Sequence, residues 1–273
     1  MKAFLSVDME GICGIVSELE TDPEKGGEAY QASRRLMTGE ANAAVEGCVR
    51  AGAKEILVAD SHWNFDNLIQ EDLHEAATLL RGWPRAGSMV GGLDGTFAAA
   101  LFVGYHAMAG TPRAILDHTF SGRIARVEIN GKAVGETGIN AALAGHHGVP
   151  VVLVTGDTAV TAEAKGLLSG IRLVAVKDAM GASAATSMHP KLARDRIREE
   201  AEKACRAASG ILPLKATTPV EMAIEFKGTD HADRAEIVPG VRRVGGTRIE
   251  FRGTDMIEAF RTFYAALNLS RTG

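Results

Sequence analysis

Residues 1–14 read MKAFLSVDMEGICG, and in this stretch a short apolar run at 3–7 ends at the two acids Asp8 and Glu10. An unbroken apolar run of this length is typical of a strand that is buried on both faces. Similar runs follow at 55–60, 99–105, 150–155 and 173–177, and segments of helical character such as 28–51 and 136–145 lie between them. This alternation predicts an α/β fold with a largely parallel sheet covered by helices.

The last third of the chain has a different pattern. Residues 191–208 carry a helical apolar stripe, and 220–226 and 248–252 alternate apolar with polar residues before a final helix at 255–267. Alternation of this kind is typical of half-exposed strands in antiparallel sheets. We therefore expect two domains: an α/β domain at 1–185 and a smaller α+β domain at 186–273.

Composition excludes several classes of function. The chain has 273 residues, 46% of them hydrophobic, and a net charge of -4. A nucleic-acid-binding protein would carry a basic surplus, and a membrane span would need an apolar run of about 20 residues, so neither partner is expected. Cys13, Cys48 and Cys205 form no CxxC pair, and no signal-peptide pattern is present, which together predict a cytoplasmic protein.

Acidic and imidazole side chains follow three of the predicted strands. Asp8 and Glu10 follow the first strand, His62 follows the second just after Asp60, and His106 follows the third. Ligands of parallel sheets collect at the carboxyl ends of the strands. Carboxylate and imidazole are the ligands that zinc and similar divalent cations prefer, and a cation would offset the repulsion between the paired acids.

Each of these residues also has an ordinary structural interpretation. A single acid can cap a turn, and a lone histidine is more often a hydrogen-bonded loop residue than a metal ligand. The acid Glu136, at the start of the predicted helix 136–145, can simply favour a helix N-terminus. The sequence contains no GxGxxG, P-loop or GxSxG pattern. The strand ending in Asp-x-Glu-Gly loosely resembles that of aspartate-nucleophile phosphatases. A metal-dependent phosphatase or phosphotransferase using Asp8 is therefore an alternative hypothesis, and a non-enzymatic metal- or peptide-binding protein is another.

Five motifs occur in an order that matches a known family: SVDMEGICG, ADSHWNFDNL, SMVGGLDGTFAAALFVGYHA, INGKAVGETGIN and VPVVLVTGD. In this respect the chain closely resembles the zinc-dependent D-aminopeptidases associated with bacterial dipeptide transport. The specific motifs lie within residues 1 to about 190. Ala59 stands where that family often has Asn before the D-S-H motif, and Ala182 stands where a basic residue is expected.

The resemblance implies roles for six residues. His118 matches the proposed nucleophile, and the metal ligands of the family match the remaining five: Asp8, Glu10, His62, His106 and Glu136. It further implies Zn²⁺ as cofactor, an assembly of ten identical subunits around a channel, and release of N-terminal D-residues from short peptides, with D-Ala-D-Ala as the type substrate. Our leading hypothesis is an aminopeptidase with two zinc ions per subunit, in which Asp8 bridges the metals and His118 is either a nucleophile or a general base.

Overall fold

The computed structural model describes residues 1–271, which form twelve strands and seven α-helices. The strands are β1 (Lys2–Val7), β2 (Glu55–Asp60), β3 (Ala77–Leu80), β4 (Ala99–Tyr105), β5 (Ile124–Ile129), β6 (Lys132–Ala133), β7 (Val151–Asp157), β8 (Arg172–Gly181), β9 (Ala184–Ser187), β10 (Val220–Phe226), β11 (Arg242–Arg243) and β12 (Arg248–Gly253). The helices are α1 (Glu18–Thr21), α2 (Gly27–Arg50), α3 (Glu136–His146), α4 (Thr158–Leu167), α5 (Pro190–Ala207), α6 (Thr229–Ala235) and α7 (Met256–Leu269).

Seven strands form the main sheet, in the order β3-β2-β1-β4-β7-β8-β9. All neighbouring pairs are parallel except β8 and β9, which form an antiparallel hairpin at one edge. The predicted fold class is therefore confirmed. The edge strands β3 and β9 were not anticipated from the sequence, because both are short and neither carries a fully buried apolar run.

Side chains of β1 alternate between two cores. Ala3, Leu5 and Val7 belong to the core beneath α2 and α5, whereas Phe4 belongs to the core on the opposite face, with α3 and α4. This alternation follows from the two-residue period of a strand, and it explains why strands covered on both faces read as unbroken apolar runs.

The second sheet has five antiparallel strands in the order β11-β12-β10-β5-β6, and α7 packs against it. Its strand β5 comes from the first half of the chain and turns into β6 through Asn130 and Gly131, both at positive φ. Conversely, α5 packs against α2 in a shared core. The division of the chain at residues 185 and 186 stays a prediction.

The register of the central strands brings three loops to one edge of the main sheet. Val7 lies opposite Asp60 of β2 on one side and Val103 of β4 on the other. Asp8, His62 and His106 therefore emerge next to one another just beyond the strand ends. Within residues 1–271, no helix is long and apolar enough to cross a membrane.

Candidate metal centre

The structure brings all six predicted site residues together at this edge of the sheet. We call them the carboxylate–histidine cluster: Asp8, Glu10, His62, His106, His118 and Glu136. Five of them are buried, with residue exposures of 2–5%. The side chain of His118 is 27% exposed and is therefore the member that an incoming molecule can reach.

Asp8 lies between two halves of the cluster. Its Oδ1 is 3.4 Å from His62 Nδ1, which is itself 3.1 Å from Glu10 Oε2. Its Oδ2 is 3.5 Å from His106 Nε2, which is itself 3.3 Å from Glu136 Oε1. The two oxygens of one carboxylate therefore face different sets of nitrogen and oxygen atoms.

Backbone carbonyls orient the three imidazoles of the cluster. His62 Nε2 lies 2.8 Å from the Thr21 carbonyl, His106 Nδ1 lies 3.1 Å from the Ala107 carbonyl, and His118 Nδ1 lies 2.9 Å from the Leu116 carbonyl. Because a carbonyl oxygen only accepts, the nitrogen beside it carries the proton. The opposite ring nitrogen faces the carboxylates, which is the arrangement that metal-ligating histidines require.

Asp60 fixes the loop that carries His62. Its Oδ2 accepts hydrogen bonds from the backbone N–H groups of Asn67 and Leu68, each at 2.6 Å, and its Oδ1 accepts one from Asn67 Nδ2 at 2.8 Å. The Asn67 amide also donates to the His62 carbonyl at 2.6 Å. Asp60 is fully buried and thus supports the cluster through the loop backbone.

Glu136 links the first turn of α3 to the loop that carries His118. Its Oε1 accepts a hydrogen bond from the Phe120 N–H at 2.6 Å and lies 3.6 Å from His118 Nε2. The His118 ring stacks on the His106 ring with 4.0 Å between centroids. These contacts hold His118 over the Glu136 half of the cluster.

Burial and mutual repulsion perturb the carboxyl groups. Burial, together with the nearby Glu10 charge, raises the pKa of Asp8 to about 8. Burial also tends to raise the pKa of Glu10, but His62 opposes this strongly enough to hold that pKa well below its ordinary value. The three buried carboxylates of the cluster repel one another, and a divalent cation bound between them would offset this repulsion.

The imidazole groups respond in opposite directions. Burial tends to lower the pKa of His62 and of His106, but the carboxylates of Glu10 and Glu136, respectively, raise both pKa values well above the ordinary one. Burial and then the positive charge of His106 lower the pKa of His118. His118 is thus the member of the cluster that most readily stays neutral.

Two atoms inside the cluster have unmet bonding capacity. Asp8 Oδ2 and His106 Nε2 are buried and have no hydrogen-bond partner among the described residues. Buried polar atoms are almost always paired, so such a pair of atoms fits a site built for a ligand. The ligand atoms of Asp8, Glu10 and His106, and those of His106, His118 and Glu136, lie within 4.8 Å of one another in each set, so the residues present fit divalent cations with carboxylate and imidazole ligands.

The other five histidines lie outside the cluster. His74 and His189 accept backbone hydrogen bonds in a turn and at the start of α5, His146 and His147 end α3, and His231 contacts the Ser270 carbonyl. The structure also shows one supporting residue that the sequence analysis missed. Lys177 is buried beneath the Glu10 loop, and its charge at the end of the apolar run 173–177 was the available signal.

Comparisons with known proteins give consistent results. Residues 1–265 match the Peptidase_M55 family, described as D-aminopeptidase. A Bacillus subtilis (strain 168) D-aminopeptidase is 36% identical over 271 residues, covering 99% of this chain and 98% of that protein. A solved structure described as "Zn-dependent D-aminopeptidase DppA from Bacillus subtilis, a self-compartmentalizing protease" matches with a TM-score of 0.96 and 36% identity, covering 100% of this chain and 99% of the other. These similarities do not support a phosphatase that uses Asp8.

Proposed function

This chain belongs to the M55 family of D-aminopeptidases, and we propose that its carboxylate–histidine cluster is the zinc-dependent active site that releases N-terminal D-residues from short peptides. The enzyme is a metal-dependent aminopeptidase. The single observation that best supports our assignment of the site is the position of Asp8, whose two carboxylate oxygens face two separate sets of nitrogen and oxygen atoms.

We assign five residues to the metal. Asp8, Glu10 and His62 would hold one ion, and Asp8, His106 and Glu136 would hold the second, with Asp8 shared between them. When bound, zinc supplies Lewis-acid polarisation of a carbonyl and of an attacking oxygen. The unpaired Asp8 Oδ2 and His106 Nε2 atoms support this assignment.

His118 is our candidate for the residue that acts on the substrate. It is the most exposed member of the cluster, and its Nε2 faces inward while its Nδ1–H donates to the Leu116 carbonyl. With Nδ1 protonated, the Nε2 lone pair is free to accept a proton from water, and the imidazolium so formed can protonate the amine as the amide C–N bond breaks. In the nucleophilic alternative Nε2 bonds to the scissile carbonyl carbon, the amide C–N bond breaks, the departing amine takes a proton from water, and water then hydrolyses the acyl–imidazole bond.

The proposed substrates, assembly and location rest on similarity and composition. The relative described as self-compartmentalizing supports a closed assembly of identical subunits, and the decamer implied by the sequence resemblance is our expectation for its size. Such an assembly would admit short peptides and exclude folded proteins. Three free, buried cysteines support a reducing cytoplasm.

One experiment tests the proposed activity. D- and L-aminoacyl amides and dipeptides, D-Ala-D-Ala among them, are incubated with the purified protein with and without a chelator. We expect hydrolysis of the D-substrates, its loss with chelator and its return with Zn²⁺. Full activity in chelator would refute the metal assignment, and cleavage of L-substrates alone would refute the D-preference.

A pair of variants tests His118 separately from the metal. His118→Ala should lower kcat by about 10²–10⁴-fold, the usual contribution of acid–base catalysis, and the zinc content should remain at the wild-type level. His146→Ala is the matched control, because His146 is exposed at the far end of α3. Normal turnover by His118→Ala would show that another group performs the proton transfer.

A further inference from the structure

A buried lysine closes the loop that carries Glu10. Lys177 of β8 is 3% exposed, and its Nζ donates to the carbonyl oxygens of Glu10 at 2.5 Å, Ile12 at 2.9 Å and Ile15 at 2.5 Å. An ammonium group has three N–H donors, so all three are used, each on a backbone carbonyl. No carboxylate oxygen is among these partners.

Burying the Lys177 ammonium group without a carboxylate partner costs free energy. Removing an ammonium group from water is unfavourable, and a pairing that offsets this cost usually includes a carboxylate. Here the carbonyls of one irregular loop converge on a single donor 162–167 positions away in the chain. The lysine therefore determines the path of the backbone on both sides of Gly11.

Two further contacts hold the same loop. The Gly11 N–H donates to the Gly104 carbonyl at 2.8 Å, and the Cys13 N–H donates to Glu40 Oε1 at 2.8 Å. Both hydrogen bonds use backbone N–H groups of the loop, and Lys177 binds carbonyl oxygens of the loop. The Glu10 carboxylate takes part in none of these contacts. That carboxylate stays free to face His62 Nδ1 at 3.1 Å.

We propose that Lys177 is a positioning residue that places the Glu10 carboxylate in its half of the metal site. It does so by binding the backbone carbonyls of Glu10, Ile12 and Ile15. The inference rests on the proposed two-metal function. We expect the effect to be specific to one half of the cluster, because His106 follows β4 and Glu136 lies in the first turn of α3, whereas the hydrogen bonds of Lys177 go to the loop after β1.

To test this, the metal is first removed from the protein with a chelator. The metal-free protein is then titrated with Zn²⁺ in a calorimeter. Wild type should bind two ions per chain. Lys177→Met should retain one ion at wild-type affinity and bind the other about 10–100-fold more weakly, the usual effect of removing a group that supports a metal ligand. Lys177→Gln keeps two N–H donors and should give an intermediate loss at the same ion.

Two controls separate positioning from general destabilisation. Lys165→Met removes an exposed lysine of α4 and should leave both affinities unchanged. Ile249→Ala removes a fully buried side chain of β12 in the second sheet, in a core separate from the one that contains Ile12 and Ile15, and serves as the variant whose unfolding midpoint is lowered without altering the Glu10 loop.

Equal losses at both ions in Lys177→Met and Lys177→Gln, or no loss at either, would overturn the role of Lys177. A loss that Ile249→Ala reproduces would overturn it as well. Wild-type protein that binds no ion would overturn the proposed metalloenzyme itself, and this result is distinct from a failure of Lys177 alone.

Discussion

Glu40 of α2 offers a test of what a buried carboxyl group beside the active-site loop costs in stability as the pH rises. The residue is 2% exposed, its Oε1 accepts the Cys13 N–H, and its Oε2 has no hydrogen-bond partner among the described residues. Burial raises the pKa of Glu40 from 4.5 to about 7, although the Cys13 hydrogen bond and the charges of Lys177 and Arg194 oppose the rise. The change to test is Glu40→Gln, which keeps the acceptor for Cys13 and removes the charge.

The sign and size of the effect follow from linkage. Between pH values near 4.5 and 7 the unfolded chain releases the Glu40 proton while the folded protein retains it, so the free energy of unfolding falls as the pH rises. Integrating this difference from about pH 5 to about pH 7.5 gives a loss of about 2 kcal/mol in wild type. Gln does not titrate, so Glu40→Gln should gain about 2 kcal/mol relative to wild type over that interval.

The assay is denaturant unfolding of both proteins at the two pH values, with chelator present and protein concentration held constant. Other titrating groups are common to both proteins and largely cancel in the comparison. Glu28→Gln, an exposed change in the same helix, should shift stability equally at both pH values. A difference between Glu40→Gln and wild type that stays constant, or reverses, as the pH rises would refute the reasoning.

Three further predictions follow from the packing around the cluster. A Cβ on Gly11 would lie 1.9 Å from the Tyr105 carbonyl oxygen, so Gly11→Ala should cost about 3 kcal/mol of unfolding free energy and lower metal content, measured by denaturation and elemental analysis. Asp60→Asn places an amide against N–H donors in the His62 loop and should weaken zinc binding about 10–100-fold in chelator competition; unchanged affinity would contradict this. Ile197→Ala should lower the unfolding free energy by about 2–5 kcal/mol with normal turnover per bound metal, and a loss of turnover would show that the α2–α5 core is coupled to the site.

Local patterns in the sequence determined much of the fold. The runs at 3–7, 55–60 and 99–105 predict buried strands, and β1, β2 and β4 occur at those places. The polar residues after each run predict where ligands collect, because strand periodicity and strand ends depend on neighbours within a few positions. Asp8, Glu10, His62 and His106 lie in one cluster as a result, and the structure adds His118 and Glu136, whose roles the family resemblance implied.

Only the tertiary structure decided which distant segments meet. It places β5 beside β10 in the second sheet, and it sets Lys177 of β8 and Glu40 of α2 against the loop that follows β1. A local pattern shows that a segment prefers to be a strand or a helix, but partners that are distant in the chain are selected by the burial free energy of the whole core. The acids at the end of the first strand are therefore evident in the sequence, whereas the contact between the buried lysine and the loop that carries them is evident only in the folded chain.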